Sequence, residues 1–507
     1  MRRSWKQGRL FLVDSVNFFM RPVFLLLAMA LFNITSGQVP IKEKHRPQFH
    51  FSPAKHWMND PNGMFFLNGT YHLYFQHYPG GTKWGPMHWG HATSSDLLHW
   101  QEQPIALYPD SLGYIFSGSA VVDHKNTSGF GKDGKIPIVA IFTHHDTAAE
   151  NARTGKHQSQ SIAYSLDEGT SWTKYVKNPV IANPGIWDFR DPKVMWHQPS
   201  QKWIMTLATK DRITFYSSPD LREWKKESEF GEKIGAHGGV WECPDLFPLH
   251  HNGKQHWVLL VSINPGGPNG GSATQYFIGD FDGSKFSTGD TATRWVDYGT
   301  DNYAGVTFSN TGDRKIFIGW MSNWQYAERV PTQAWRSAMT VARDLELREV
   351  GGSLYLNSKP VVELKRLNIG GRAIEGNGRK AIIPAGLYGM EGSAAADDFS
   401  IVLSNDVGEK LIIGFEKAGN RFYIDRTGSG DKSFDPEFAK KQFAPRISDN
   451  KEIKLTMFVD HSSVELFADD GLTVMTAIFF PSTPYTNVSI EKGTSFKGKV
   501  FKISNNK

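Results

Sequence analysis

Asn68-Gly69-Thr70-Tyr71-His72-Leu73-Tyr74-Phe75, a polar turn running into an aromatic strand, is one of five such segments before residue 325. The others are Gly134-Lys135-Ile136-Pro137-Ile138-Val139-Ala140-Ile141-Phe142, Ser200-Gln201-Lys202-Trp203-Ile204-Met205-Thr206-Leu207, Asn252-Gly253-Lys254-Gln255-His256-Trp257-Val258-Leu259-Leu260 and Gly312-Asp313-Arg314-Lys315-Ile316-Phe317-Ile318-Gly319-Trp320. Counted from Tyr71, Ile136, Trp203, His256 and Lys315, the intervals are 65, 67, 53 and 59 residues. Near-regular return of one strand type at that spacing is what the blades of a propeller give. A second echo points the same way. Ser94 and Asp96 before Trp100, Ser165 and Asp167 before Trp172, and Ser218 and Asp220 before Trp224 fit one hairpin turn used at equivalent blade positions. The competing architecture is an irregular β-sandwich with coincidental echoes.

Outside these repeats the hydrophobic pattern is still short and strand-like, with turn residues every 8 to 12 positions and no long amphipathic helix. The chain reads as all-β. After about Arg348 tryptophan disappears, and runs such as Phe399 to Leu403 and Ile453 to Val459 alternate as the strands of a sandwich do. The expected organisation is a five-bladed β-propeller over 45–348, a linker at 349–364 and a C-terminal β-sandwich over 365–507.

The formal charge of +5 falls to +1 once the first 37 residues are set aside, because Arg2, Arg3, Lys6, Arg9 and Arg21 there face only Asp14. A near-neutral body without Lys/Arg runs gives no electrostatic case for nucleic acid. Residues 1–37 read as a signal peptide region, with Arg21 ahead of the apolar stretch Val23 to Phe32 and small Thr35 and Gly37 near a cleavage point. Met20 is an alternative start. No later segment is apolar enough for a membrane helix, so the mature protein is expected to be secreted and extracellular, without a membrane partner. Asn68, Asn126 and Asn487 begin glycosylation sequons. Cys243 is the sole cysteine, so no intramolecular disulfide forms.

Three acidic, aromatic-flanked segments carry the chemistry: Trp57-Met58-Asn59-Asp60-Pro61-Asn62-Gly63, Phe189-Arg190-Asp191-Pro192 and Trp241-Glu242-Cys243-Pro244-Asp245-Leu246-Phe247. Singly, each has a plain reading as a turn, a structural ion pair or a solvated glutamate. Together they place Asp60, Asp191 and Glu242 at the starts of blades, whose innermost strands converge on one axial cavity. Paired carboxylates in one cavity of a tryptophan-rich chain are what glycosidic cleavage calls for, one to protonate the leaving oxygen and one on the far side of the sugar. Strand alternation puts Trp241 and Cys243 on the face opposite Glu242. His144-His145-Asp146 reads as a solvated loop rather than a metal site, since adjacent residues diverge and no second cluster follows. No metal or cofactor is expected.

From about His50 to the C-terminus the chain resembles family 32 of the glycoside hydrolases, the invertase, levanase and exo-inulinase group. Beyond the acidic segments, the resemblance rests on Trp89 to Trp100, Phe116-Ser117-Gly118-Ser119, Asp301-Asn302-Tyr303-Ala304, Gly319-Trp320-Met321-Ser322-Asn323-Trp324 and Asp460 to Phe467. It implies a five-bladed propeller followed by a β-sandwich. It implies Asp60 as nucleophile, Glu242 as general acid/base and Asp191 as stabiliser of the transition state. Asn59, Gln76, Trp84, Phe116, Ser117, Arg190, Tyr303 and Trp324 are implied to line the fructosyl pocket. Arg190 is then expected to keep Asp191 ionised and oriented. The expected activity is exo-acting β-fructosidase on sucrose or fructans. A fructosyltransferase, an endo-acting fructanase and a catalytically silent carbohydrate-binding protein are the alternatives.

Overall fold

Each of the five recurring segments forms the second strand of its own antiparallel sheet in the computed structural model. The structure describes residues 43–504, apart from 377, 379, 380, 384 and 385, so the expected signal region lies outside the described residues. The first strands of the five sheets are His56–Leu67, Tyr114–Val122, Phe189–His197, Val240–His251 and Tyr303–Thr307. Each lies against the first strand of the next sheet, and the fifth returns to the first. Five inner strands therefore ring one axis, the arrangement of a β-propeller. Closure is reinforced by Trp335-Arg336, which pair in parallel with His56-Trp57.

The Ser-Asp-Trp echoes are the turns between third and fourth strands of the first three sheets. In each the serine hydroxyl donates to the aspartate: Ser94 to Asp96 at 3.1 Å, Ser165 to Asp167 at 2.7 Å and Ser218 to Asp220 at 3.2 Å. Asp96 and Asp220 also accept backbone N–H groups ahead of them, and the Trp100 and Trp224 indoles donate back to Leu97 and Leu221 carbonyls. One side-chain-capped turn was thus built three times.

The stretch 349–364 differs from the expected linker. Ser353–Pro360 pairs with Arg343–Val350 as the outer strand of the fifth sheet, so the connection is the short 3-10 helix Val362–Leu367. Hydrophobic alternation in Ser353–Pro360 is weak because polar Asn357 and Ser358 are buried at its centre beside Leu356. Beyond it, two six-stranded antiparallel sheets form a sandwich around Ile401, Leu411, Ile413, Phe422, Met457 and Val488.

Propeller and sandwich share a buried polar seam. Asp460 accepts the backbone N–H groups of Gln48 and Phe49 and the His50 ring at 2.8 Å, while the other His50 nitrogen meets Glu465 at 2.9 Å. Arg343 lies between Glu465, at 2.5 Å, and Asp297, at 2.9 Å. A second buried pair joins Arg426 of the sandwich to Asp301 of the propeller at 2.8 Å. Burial opposes charge on His50, but Asp460 and Glu465 together hold it charged, with a pKa raised to about 9. These groups specify the fit between the two parts, since removing one partner strands a buried charge.

Candidate active site

Every inner strand carries a two-against-one bulge near its first residues, at the same end of the ring. Asn59-Asp60 sit opposite Gln76, Phe116-Ser117 opposite Thr143, Asp191-Pro192 opposite Leu207, Cys243-Pro244 opposite Val261 and Ala304-Gly305 opposite Gly319. A bulge adds twist and re-aims side chains, and it tolerates proline because the extra residue needs no ladder hydrogen bond. Asp191, Cys243 and Ala304 take left-handed backbone there, at φ of 65°, 44° and 53°. The five bulges deliver the site.

Asp60 is held at both oxygens. Asn59 donates its amide to Oδ1 at 2.8 Å, and is itself fixed by the Trp57 indole at 2.7 Å. The Ser117 hydroxyl donates to Oδ2 at 2.7 Å, and the Cys243 thiol lies 3.5 Å from the same oxygen. Asp191 Oδ2 accepts the Cys243 backbone N–H at 3.1 Å, with the thiol at 3.6 Å. Glu242 is gripped at its two ends. Arg190 donates to Oε1 through Nη2 at 2.8 Å and Nε at 3.2 Å, and the Tyr303 hydroxyl donates to Oε2.

Three expectations are corrected here. Cys243 shares the cavity with the carboxylates instead of facing away, because the bulge at Cys243-Pro244 breaks the two-residue period. Arg190 is chiefly the partner of Glu242 and Asp188, the latter at 2.5 Å, and approaches Asp191 only to 4.0 Å. Asp188 escaped sequence reading, although its position two residues before Arg190 is the spacing that brings side chains to one face of a strand. His144 and His145 are also not in a solvated loop. They end the buried strand Ile138–His145, with His144 bonded to Ser161 at 2.7 Å and His145 to Glu150 at 2.9 Å.

Three carboxylates, Asp188, Asp191 and Glu242, face the Arg190 guanidinium, and Asp60 adds a fourth negative group on the far side of the Cys243 thiol. The surplus negative charge favours a cation forming among them and also makes protons hard to remove. Burial, and then the charge of Glu242, raises the pKa of Asp60. Burial raises Asp191 to about 7; Arg190 opposes this, and Glu242 and Asp60 add to it. Burial followed by the charges of Asp191 and Asp60 keeps the Cys243 thiol protonated, so it faces the carboxylates as a donor.

The other residues implied to line the pocket are held in varied ways. Gln76 is buried, and its amide nitrogen has no partner among the described residues, leaving a donor free beside the Asp60 bulge. Trp324 packs on Trp57 and Trp320, with ring centroids 5.8 and 4.9 Å away. Trp84 is 39% exposed and meets Phe116 edge-on at 6.0 Å, so it is not core filling. Phe116 stacks on His145 at 4.2 Å.

Residues 50–358 match the glycosyl hydrolases family 32 N-terminal domain, and residues 345–505 match the family 32 C-terminal domain. The chain belongs to glycoside hydrolase family 32. The family match brackets the propeller and the sandwich and takes in every residue of the cluster above. A levanase from Bacillus subtilis (strain 168) is 45% identical over 485 residues, covering 90% of this chain and 69% of that protein. An extracellular exo-inulinase from Aspergillus awamori is 42% identical over 489 residues, covering 87% and 90%. Among solved structures, β-fructofuranosidase from Schwanniomyces occidentalis complexed with fructosyl-erythritol superimposes with a TM-score of 0.83 at 35% identity, covering 92% of this chain and 99% of that one. This family 32 chain is therefore a glycoside hydrolase with a β-propeller and a C-terminal β-sandwich.

Proposed function

We propose that the chain is a secreted, retaining exo-β-fructosidase that removes terminal non-reducing β-D-fructofuranosyl residues from fructans and sucrose. The observation that carries the reading is the pairing of two differently held carboxylates in one cavity. Asp60 is oriented by hydrogen bonds to both oxygens, as a nucleophile needs, whereas Glu242 is clasped by a guanidinium and a phenol. The names of the relatives, levanase, exo-inulinase and β-fructofuranosidase, support fructosides as substrates, and the extracellular relative supports secretion.

In the first step a carboxylate oxygen of Asp60 attacks C2 of the fructosyl ring while the C2–O bond to the leaving group breaks. Glu242 passes its proton to the departing oxygen, and a fructosyl ester of Asp60 forms. Glu242, now ionised, then takes a proton from water, whose oxygen attacks C2 and releases Asp60. Positive charge at C2 in both transition states lies beside Asp191, which stabilises it. The crowding that raises Asp60 and Asp191 favours a proton held among these carboxylates toward neutral pH. Asn59, Gln76, Ser117 and Arg190 offer amides, a hydroxyl and a guanidinium to the furanose hydroxyls, and Trp324 an apolar face.

Chromatography of early products from inulin, levan and sucrose tests this reading. Free fructose as the sole early product of both fructans is expected. Early oligosaccharides from the fructans would mean endo-cleavage, and net accumulation of longer chains from sucrose would mean transfer rather than hydrolysis.

A further inference from the structure

A row of aromatic rings runs around the mouth of the cavity and ends on a residue that the chemistry above does not use. From the first sheet, Trp84 meets Phe116 of the second edge-on at 6.0 Å, and Phe116 stacks on His145 at 4.2 Å. His145 meets His157 at 5.3 Å, and His157 packs on Trp187 at 4.4 Å. Trp187 stands just ahead of the third inner strand, Phe189–His197, at the end of the ring where the bulges lie. It is 43% exposed, and Trp84, at the other end of the row, is the only other tryptophan among the described residues that is exposed. Its ring packs at a tilt on His157, and a substantial part of it remains exposed.

The neighbour of Trp187 fixes what that open surface faces. Asp188 holds Arg190 at 2.5 Å, and Arg190 holds Glu242 at 2.8 Å. The Asp188 carbonyl accepts the Lys210 N–H at 2.8 Å, and the Lys210 carbonyl accepts the Trp241 N–H at 2.8 Å, which ties the Trp187-Asp188 turn to the strand bearing Glu242. An acid protonates the oxygen of the group that leaves, so that group lies on the mouth side of Glu242, where Trp187 is. Sugar rings present faces of C–H groups that stack on an indole, and an indole already immobilised by its neighbours loses little freedom in binding one.

We propose that Trp187 is the platform of a leaving-group subsite, taking the hexose ring attached to the fructosyl unit being removed. The proposal rests on the β-fructosidase reading and deepens it. Trp187 touches neither the fructosyl ring nor the reacting atoms, so its effect depends on whether the leaving group has a ring to stack.

The test compares kcat/KM of wild type, Trp187→Ala and Trp187→Phe on nystose and on methyl β-D-fructofuranoside, whose leaving group is methanol. Trp187→Ala is expected to lose about tenfold on nystose, mainly through KM, while methyl fructoside turnover stays within about twofold. Trp187→Phe is expected to recover most of the nystose loss. Equal losses on both substrates would overturn the subsite and assign Trp187 to holding Asp188 and Arg190 in place. Unchanged kinetics on both would overturn it as well. Wild-type protein inactive on every β-fructoside would overturn the β-fructosidase reading itself, and the subsite with it.

Discussion

Replacing Asp191 by Asn is expected to disable the enzyme and, above neutral pH, to stabilise its fold. In the native site, burial and the charges of Glu242 and Asp60 outweigh Arg190 and lift Asp191 from 3.8 to about 7. An acid whose pKa is raised on folding contributes stability that is complete below its unfolded value and is lost as pH climbs through the folded value. Three units correspond to a ceiling of about 4 kcal/mol at pH 8. Because the charges of Asp191 and Asp60 act on each other, about half of that, ~2 kcal/mol, is assigned to this residue alone. Asparagine removes the charge, keeps a carbonyl oxygen for the Cys243 N–H, and tolerates the left-handed backbone at φ 65°. For a folded chain of this size the gain is a rise in Tm of about 2 °C at pH 8, shrinking toward zero at pH 4. Loss of the negative charge beside C2 should meanwhile lower kcat by about 10²- to 10³-fold. Thermal scans of both proteins across pH, with activity measured in parallel, check the two halves separately. A Tm at pH 8 that is unchanged or lower, or a gain of the same size at pH 4, would refute the electrostatic account.

Arg343→Met leaves Asp297 and Glu465 buried without their guanidinium and should cost about 3 to 5 kcal/mol, read as a lower urea midpoint; an unchanged midpoint contradicts the seam's role. His50, raised to about 9, contributes stability that is complete below 6.5 and lost as pH passes 9, so Tm should fall between pH 8 and 10 in wild type. His50→Gln should have a lower Tm at pH 7 and a flatter profile over that range. Cys243→Ala removes a donor that lowers Asp60, so the acid limb of the kcat/KM profile should move to higher pH with the fold intact; an unmoved limb would make the thiol mere packing.

The propeller was legible because its second strands lie between tight turns and leave a linear mark, as at Tyr71 and Trp203, and because the Ser-Asp-Trp turn is entirely local. The acidic segments were legible for a related reason: each bulge sits in a short run containing proline. What the bulge does to direction was not legible. Alternation sends Cys243 away from Glu242, and only the two-against-one pairing with Val261 brings it back. The preference of Arg190 for Glu242 over its chain neighbour Asp191 depends on two strands from different sheets, which no spacing encodes. The outer strand Ser353–Pro360 carries little hydrophobic pattern, because polar Asn357 and Ser358 are buried at its centre. The polarity of His144 and His145 suggests a loop and masks a buried strand end whose partners, Ser161 and Glu150, come from other segments.

The central claim is that Asp60 forms a covalent bond to C2 and that Glu242 serves first as acid and then as base. Rapid NMR of the first fructose released from sucrose, recorded before mutarotation, tests it most directly. Two displacements at C2 predict β-fructofuranose as the initial product. Initial α-fructofuranose would mean a single direct attack by water, and Asp60 would then be a base and not a nucleophile.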